Sequence, residues 1–260
     1  MPIRKYREGW VSKIICGDCL EVLPELSRAK MIFADPPDNL GLKYEGFKDK
    51  WPDIVGYLMW LLQVIKVGVK KGDIFWLSYN RLYDYDLKGG IMAWWQINKL
   101  PERCNDLRTF IWRFTFGQHN NKDCGNGYRP ILRIMRPGSI IYPDAIRIPS
   151  KRQTLYNDKR ANPKGRVPDD VWEFSRVCGT FKEKRKWHPN QHPEALIERI
   201  VKFSCVPGDL VIDMFAGTGT VNRVCKRLGI DCIGIELSRF YCEKITEETG
   251  AKLSEVKDGF

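Results

Sequence analysis

Short apolar runs that stop at an acidic residue or a glycine recur along the chain, each followed by a stretch with helical spacing. VSKIIC (11–16) reads as a strand, and GDCLEVLPEL (17–26) as a turn and short helix. MIFA (31–34) is a strand that stops at Asp35. Residues 52–70 carry apolar side chains at helical intervals, and Gly72-Asp73 then opens another strand, IFWLSY (74–79). Residues 108–116 and 129–136 predict two strands around the turn-rich HNNKDCGNG, a long hairpin. Residues 149–187 lose this periodicity and read as a loop-rich insertion. Order returns with an amphipathic helix over 193–204, which Pro207-Gly208 ends. A buried strand over 209–215 follows, then a glycine loop and a helix over 219–229 that Gly229 closes. A strand over 231–237 and a helix over 238–248, with Ser238 as N-cap, complete the alternation. Strand and helix taking turns in this way predict an α/β sheet covered on both faces.

Composition narrows the picture. With 43% apolar residues in 260, the chain can bury one large core, or one core with a sizeable insertion. No run of 18 apolar residues exists, so no membrane partner is expected. The opening MPIRKYREGW is charged with no apolar run behind it, unlike a secretory signal, and a cytoplasmic protein is expected. The nine cysteines fit that setting as small buried hydrophobes. Cys16 and Cys19 form a CxxC pair with no second pair at zinc spacing, so no metal site is expected. Net charge is +11, and it is concentrated: residues 145–187 hold twelve Lys/Arg against five Asp/Glu, with Trp, Tyr, Phe and Gly interleaved. A basic, aromatic-bearing stretch of this kind suits a polyanionic partner better than a merely solvated face does.

Two segments carry candidate chemistry. In VIDMFAGTGTV (211–221) a buried strand meets Asp213, then a glycine turn, then a helix. The glycines admit close backbone approach, and the helix start offers free N–H groups. The next strand ends at Glu236, at the distance that suits a ribose diol. A tight strand–helix turn is the plain alternative. There is no GxxxxGK[ST] and no clean GxGxxG, which disfavours a triphosphate or a dinucleotide and leaves a phosphate-free nucleoside, S-adenosylmethionine. In FADPPDNL (33–40) the strand runs straight into Asp35-Pro36-Pro37-Asp38. Two prolines fix the backbone and remove N–H donors, so the loop presents acceptors, the Asp35 carboxylate and the Pro36 carbonyl among them. An ordinary Pro-Pro turn is the plain alternative here. An exocyclic base amine is a poor nucleophile because its lone pair is delocalised into the ring. Two acceptors on its two hydrogens favour a pyramidal nitrogen whose lone pair can attack a methyl group.

With these residues in view, the chain resembles the β-class, permuted amino-group DNA methyltransferases of the N6-adenine/N4-cytosine family. DPPDNLGL precedes VIDMFAGTGT by almost the whole chain, HPNQHP (188–193) is similar to the family's HPTQKP-like segment, and GDCLEVL (17–23) to its GDCL segment. Both ends match well; the middle third matches loosely, around TFIWRF. The resemblance implies a Rossmann-like, seven-stranded S-adenosylmethionine-dependent methyltransferase sheet. It implies a catalytic half over 1–148, a small basic target-recognition insertion over 149–187, and a cofactor-binding half over 188–260. It implies that Asp18, with Cys19, contacts the cofactor adenine, that Glu236 and Leu237 flank its ribose, and that Asn190, Gln191 and Asp35 lie near its methionine end. Asp213, Phe215, Ala216, Gly217, Thr218, Gly219 and Thr220 would wrap it. Lys151, Arg152, Lys159, Arg160, Lys164, Arg166, Lys184, Arg185 and Lys186 would meet duplex DNA, with the target base flipped out to the catalytic Asp35, Pro36, Pro37 and Asp38.

The chain departs from the family at two places. The fourth motif position, usually an aromatic that stacks on the base, is Asp38, and His192 stands where Lys is common. Stacking is worth roughly 1–3 kcal/mol per base, so another ring (Tyr44, Phe47 or Trp51) would have to substitute, or Asp38 would bind the base itself. Asp rather than Ser at position 35 leans to N6 of adenine. N4 of cytosine, an RNA substrate and an inactive nucleic-acid-binding relative are the alternatives. An insertion of about 40 residues suits a short recognition site, unless a homodimer adds contacts.

Overall fold

A computed structural model describes residues 11–97, 106–118 and 121–255. The N-terminal stretch read above as no secretory signal, and positions 119–120 of the hairpin turn, lie outside them. The architecture is three layers, helix, sheet, helix, as the alternation predicts. The elements are β1 (Ser12–Cys16), α1 (Cys19–Glu25), β2 (Ala29–Ala34), the small hairpin β3 (Lys43–Tyr44) and β4 (Phe47–Lys48), α2 (Ile54–Lys71), β5 (Gly72–Ser78), α3 (Asp84–Ile97), β6 (Asp106–Gln118), β7 (Asn126–Met135), α4 (Lys151–Thr154), β8 (Val171–Glu173), α5 (Glu194–Ser204), β9 (Leu210–Asp213), α6 (Thr220–Leu228), β10 (Asp231–Glu236), α7 (Arg239–Thr249) and β11 (Lys252–Glu255).

The main sheet runs β11-β1-β10-β9-β2-β5-β7-β6-β8, and β7 alone is antiparallel to the rest. It therefore has nine strands where seven were expected. The additions are its two short edges, β11 and β8. β8 forms inside the stretch read as loop because Trp172 is buried against Trp76, Phe110 and Phe203, and this anchors three residues beside β6. The rest of 149–187 is turns and coil apart from the four-residue α4 and one antiparallel bridge from Arg166 to Ile148.

The buried parallel strands are apolar on both faces, as two covered faces require. One face packs against α1, α2 and α3 through Val22, Leu23, Tyr57, Leu61, Val64, Ile65 and Leu87. The other packs against α5 and α6 through Leu196, Ile200, Val201, Val221 and Val224. Full burial of Leu61, Val64 and Ile65 on α2 alone contributes roughly 5–9 kcal/mol before the entropy of ordering them. Two connections leave the sheet centre in opposite directions: β9 leads through α6 to β10, and β2 through α2 to β5. Between β9 and β2 lies a topological switch point, where a crevice opens beyond the strand C-termini. No helix among the described residues is long and apolar enough to cross a membrane.

Candidate active site

Each parallel strand near the switch point has an apolar run that gives way to an acid at or just beyond its C-terminal end, so the acids collect along one edge. Asp35 follows β2, Asp213 ends β9, Glu236 ends β10, and Asp18 lies two residues past β1. All four line one cleft, together with Tyr44, Phe47, Trp51, Trp60, Asn190, Gln191, Phe215, Gly217, Thr218 and Leu237. Burial raises the Asp213 carboxyl to about 8, and the nearby Asp35 and Glu236 push it the same way. Burial also raises Glu236, against hydrogen bonds from the Ser238 and Gly217 N–H groups, each 2.9 Å from one of its oxygens. A carboxylate held by two backbone donors at a glycine turn has a fixed direction. Asp18 is spent partly on structure, since it caps α1 by accepting from Leu20 N–H at 2.8 Å.

The DPPD loop is held from several sides. Tyr57 Oη donates to the Pro37 carbonyl and Tyr83 Oη to the Asp38 carbonyl, both at 3.0 Å. The buried Asp49 carboxylate accepts from Asn39, Leu40 and Leu42 N–H groups and so folds the following segment back over the cleft. That brings Tyr44, Phe47 and Trp51 to the wall, and the hairpin touches α7 where Glu45 N–H donates to Tyr241 Oη at 2.9 Å. Asp35 itself sits in a ring of polar groups. Arg129 Nη2 donates to its Oδ1 at 2.9 Å, and His192 Nδ1 lies 3.0 Å from its Oδ2. Ser78 Oγ accepts from Arg129 Nε at 2.7 Å and is 2.9 Å from His192 Nε2. Burial would raise the Asp35 carboxyl, but His192 and Arg129 outweigh it and hold it at about 2.

Asp38 does not face this cleft. Its side chain is buried and accepts from Arg129 Nη1 at 2.6 Å and Nη2 at 3.0 Å. Pro36 is buried too, while Pro37 lines the wall. Among the residues expected around a cofactor, Asp18, Cys19, Asn190, Gln191, Asp213, Phe215, Ala216, Gly217, Thr218, Thr220, Glu236 and Leu237 all line the cleft, and Gly219 turns the chain behind them into α6. Gln191 is engaged elsewhere, accepting from Arg185 N–H at 2.9 Å and donating to the Glu183 carbonyl at 2.7 Å. Gln191 thus ties the end of the basic segment to the cleft wall.

The profile of the family described as DNA methylase, the N6/N4 methyltransferases, matches residues 29–248, which include both strand-end loops and everything between. The chain belongs to this family. It is 31% identical over 248 residues to the DNA adenine methyltransferase YhdJ of Escherichia coli K12, covering 88% of this chain and 79% of that one. It is 31% identical over 257 residues to the type II methyltransferase M.HpaI of Haemophilus parainfluenzae, covering 93% and 75%. Among solved structures it is similar in fold to the cytosine-N4-specific PvuII DNA methyltransferase, with TM-score 0.64, 16% identity and coverage of 94% and 96%. It is similar also to the M1.HpyAVI–SAM complex, with TM-score 0.57, 19% identity and coverage of 91% and 98%.

As a member of this methylase family the chain is a DNA amino-methyltransferase, and S-adenosylmethionine is its methyl donor. The cleft fits such a group chemically: acids at strand ends for hydroxyls and positive charge, aromatic walls, and a glycine turn. Three residues of this site were not singled out from sequence, or only as a departure: Arg129, Ser78 and His192. Arg129 arrives because β7 is antiparallel, which puts its first residues at the C-terminal edge of its neighbours. The available signals were an arginine opening an apolar strand and a carboxylate in an aromatic's place, two anomalies that answer each other.

The basic segment divides in two. Lys151, Lys159, Lys164, Lys184 and Lys186 are exposed, with no ion pair among the described residues. Arg152 and Arg160 are exposed but share Asp158, at 2.7 and 3.0 Å, and Arg166 pairs with Asp169 at 3.3 Å. Arg185 is half-buried and pairs with Glu248 on α7 at 2.6 Å, away from the exposed face.

Proposed function

We propose that this methyltransferase modifies N6 of adenine in duplex DNA, at a base flipped into the cleft beside Asp35. The observation that carries the reading is Asp35 held ionised and oriented at the switch point, in one cleft with Asp213 and Glu236. The cofactor supplies an electrophilic methyl group on a sulfonium that is its own leaving group. Glu236 and Asp18 would bind its ribose and adenine ends, and Asn190 and the loop from Asp213 to Thr220 its remainder. Asp35 accepts one amino hydrogen of the base and the Pro36 carbonyl the other, which turns the nitrogen lone pair towards the methyl group. An acid held at about 2 stays ionised, so it accepts and never donates, and it is a weak base, so the proton released from nitrogen goes on to water. Tyr44, on the cleft wall, takes the stacking role that Asp38 cannot fill.

Flipping costs a few kcal/mol, which phosphate contacts by the exposed lysines of 151–186 offset. So short a segment suits a short or degenerate site, or a homodimer that reads two halves of a longer one. Adenine is favoured by Asp at position 35 and by the name of the 31%-identical YhdJ. The test is transfer of labelled methyl to a random-sequence DNA duplex, with equal RNA as competitor, followed by digestion to nucleosides. N6-methyladenine from DNA is expected. N4-methylcytosine, or label in RNA, would replace the substrate named here.

A further inference from the structure

The chemistry proposed above asks one carboxylate to stay ionised and to keep one orientation inside a buried pocket. Arg129 is built for that task. Four of the five N–H donors of a guanidinium are used here: Nε on Ser78, Nη1 on Asp38, and Nη2 on both Asp38 and Asp35. With Arg129 on Oδ1 and His192 on Oδ2, the plane of the Asp35 carboxylate is fixed, and each oxygen keeps a lone pair free. A lysine could supply the charge but not this fork. A tyrosine at position 38 would leave Arg129 with one carboxylate instead of two.

We propose that Arg129 is a positioning residue for Asp35, and that Asp38 serves to seat Arg129 instead of touching the target base. The assignment rests on the methyl-transfer reading in that it names Asp35 as the group being positioned. The charged and titratable groups around Asp35 are Arg129 from β7, His192 and His188 from the loop before α5, Asp213 from β9, Tyr44 from the small hairpin, and Asp38 on its own loop. Of these, Arg129 bridges both carboxylates of the motif. The pairing gives the carboxylate at position 38 a partner that lies 91 residues away.

The test compares wild type with Arg129→Gln, Asp38→Asn and the double variant. Each is read by urea unfolding, by kcat and KM of methyl transfer against pH, and by carbon-13 NMR titration of the Asp35 carboxyl. Arg129→Gln leaves the buried Asp38 without its cation and Asp35 with His192 alone, and is expected to lose stability. The double variant leaves no carboxylate at position 38 and is expected to regain it. Its kcat is nevertheless expected to stay about 100-fold down. Its Asp35 midpoint is expected to lie roughly 1–3 pH units above wild type. Asp38→Asn alone keeps Arg129 but takes away the carboxylate that seats it, so its Asp35 midpoint is expected between those of wild type and the double variant. A double variant with wild-type kcat and an unmoved midpoint overturns the assignment, as does an Asp38→Asn variant whose kcat and Asp35 midpoint both match wild type. Failure of the wild type to methylate DNA would remove the proposed function instead; the Asp35 titration needs no substrate and still decides the role of Arg129.

Discussion

Two glycines flank α6 with nearly the same backbone: Gly219 at φ +72° before it and Gly229 at φ +66° after it. A side chain in this left-handed region costs about 1–2 kcal/mol. Around Gly229 nothing lies within 4 Å, so Gly229→Ala should cost that much and no more. At Gly219 the added Cβ would sit 2.6 Å from Ile245 Cγ2 and 3.1 Å from Cγ1. Ile245 is fully buried on α7 and cannot swing away. Overpacking of this kind adds about 1–3 kcal/mol. Gly219→Ala should therefore cost about 2–5 kcal/mol in all. In a chain of this size each kcal/mol lowers Tm by about 2–4 °C. The strain falls on the turn that carries Ala216 to Thr220, so cofactor affinity should fall by about tenfold, equivalent to 1.4 kcal/mol. Urea unfolding and calorimetric titration with S-adenosylmethionine measure both. Equal stability losses for the two variants, or a Gly219→Ala that binds cofactor as wild type does, would refute the close-contact argument.

Three further predictions follow from the acids and the basic segment. Asp35 is held at about 2, below its ordinary 3.8, so its native interactions stabilise the fold above about pH 4 and lose that contribution as pH falls towards 2. The stability gap between wild type and Asp35→Asn in urea should thus be widest near neutrality, about 2 kcal/mol, and close in acid; a gap independent of pH contradicts it. Asp38→Ala leaves the buried Arg129 short of a partner and should cost about 3–5 kcal/mol in the same measurement; a loss typical of an exposed aspartate would show that the pair is not buried in solution. Replacing Lys151, Lys159 and Lys164 together by Ala should reduce the slope of log affinity for DNA against log salt by up to about 3, one phosphate each, while Arg185→Ala should change stability through Glu248 and leave that slope alone.

Much of the sheet was legible because a buried parallel strand has a simple signature, an apolar run with a polar tip. That signature marked Asp35, Asp213 and Glu236, and in three dimensions the same tips form the cleft. α3 was missed because Gly89-Gly90 breaks its helical pattern and its charged start, Asp84 and Asp86, reads as loop. β8 and β11 were missed because strands of three and four residues carry no period; β8 is fixed by one buried tryptophan. The polar ring around Asp35 was not legible, since Ser78, Arg129 and His192 come from three segments that only the topology joins. Position 38 illustrates the limit well. The sequence raised the loss of the aromatic as a question about the base, whereas the carboxylate's partner is Arg129. Net charge likewise located the basic stretch but could not separate its exposed lysines from Arg185, whose partner is on α7.

Asp35 is the acceptor for the target amine on which the proposed methyl transfer depends. The most direct measurement is methyl transfer to DNA by wild type and by Asp35→Ala, with cofactor affinity measured on the same two proteins. Loss of the carboxylate acceptor on the reacting nitrogen should lower kcat by about 100-fold or more while S-adenosylmethionine still binds. Asp35→Ala that binds the cofactor and methylates DNA at the wild-type rate would contradict it.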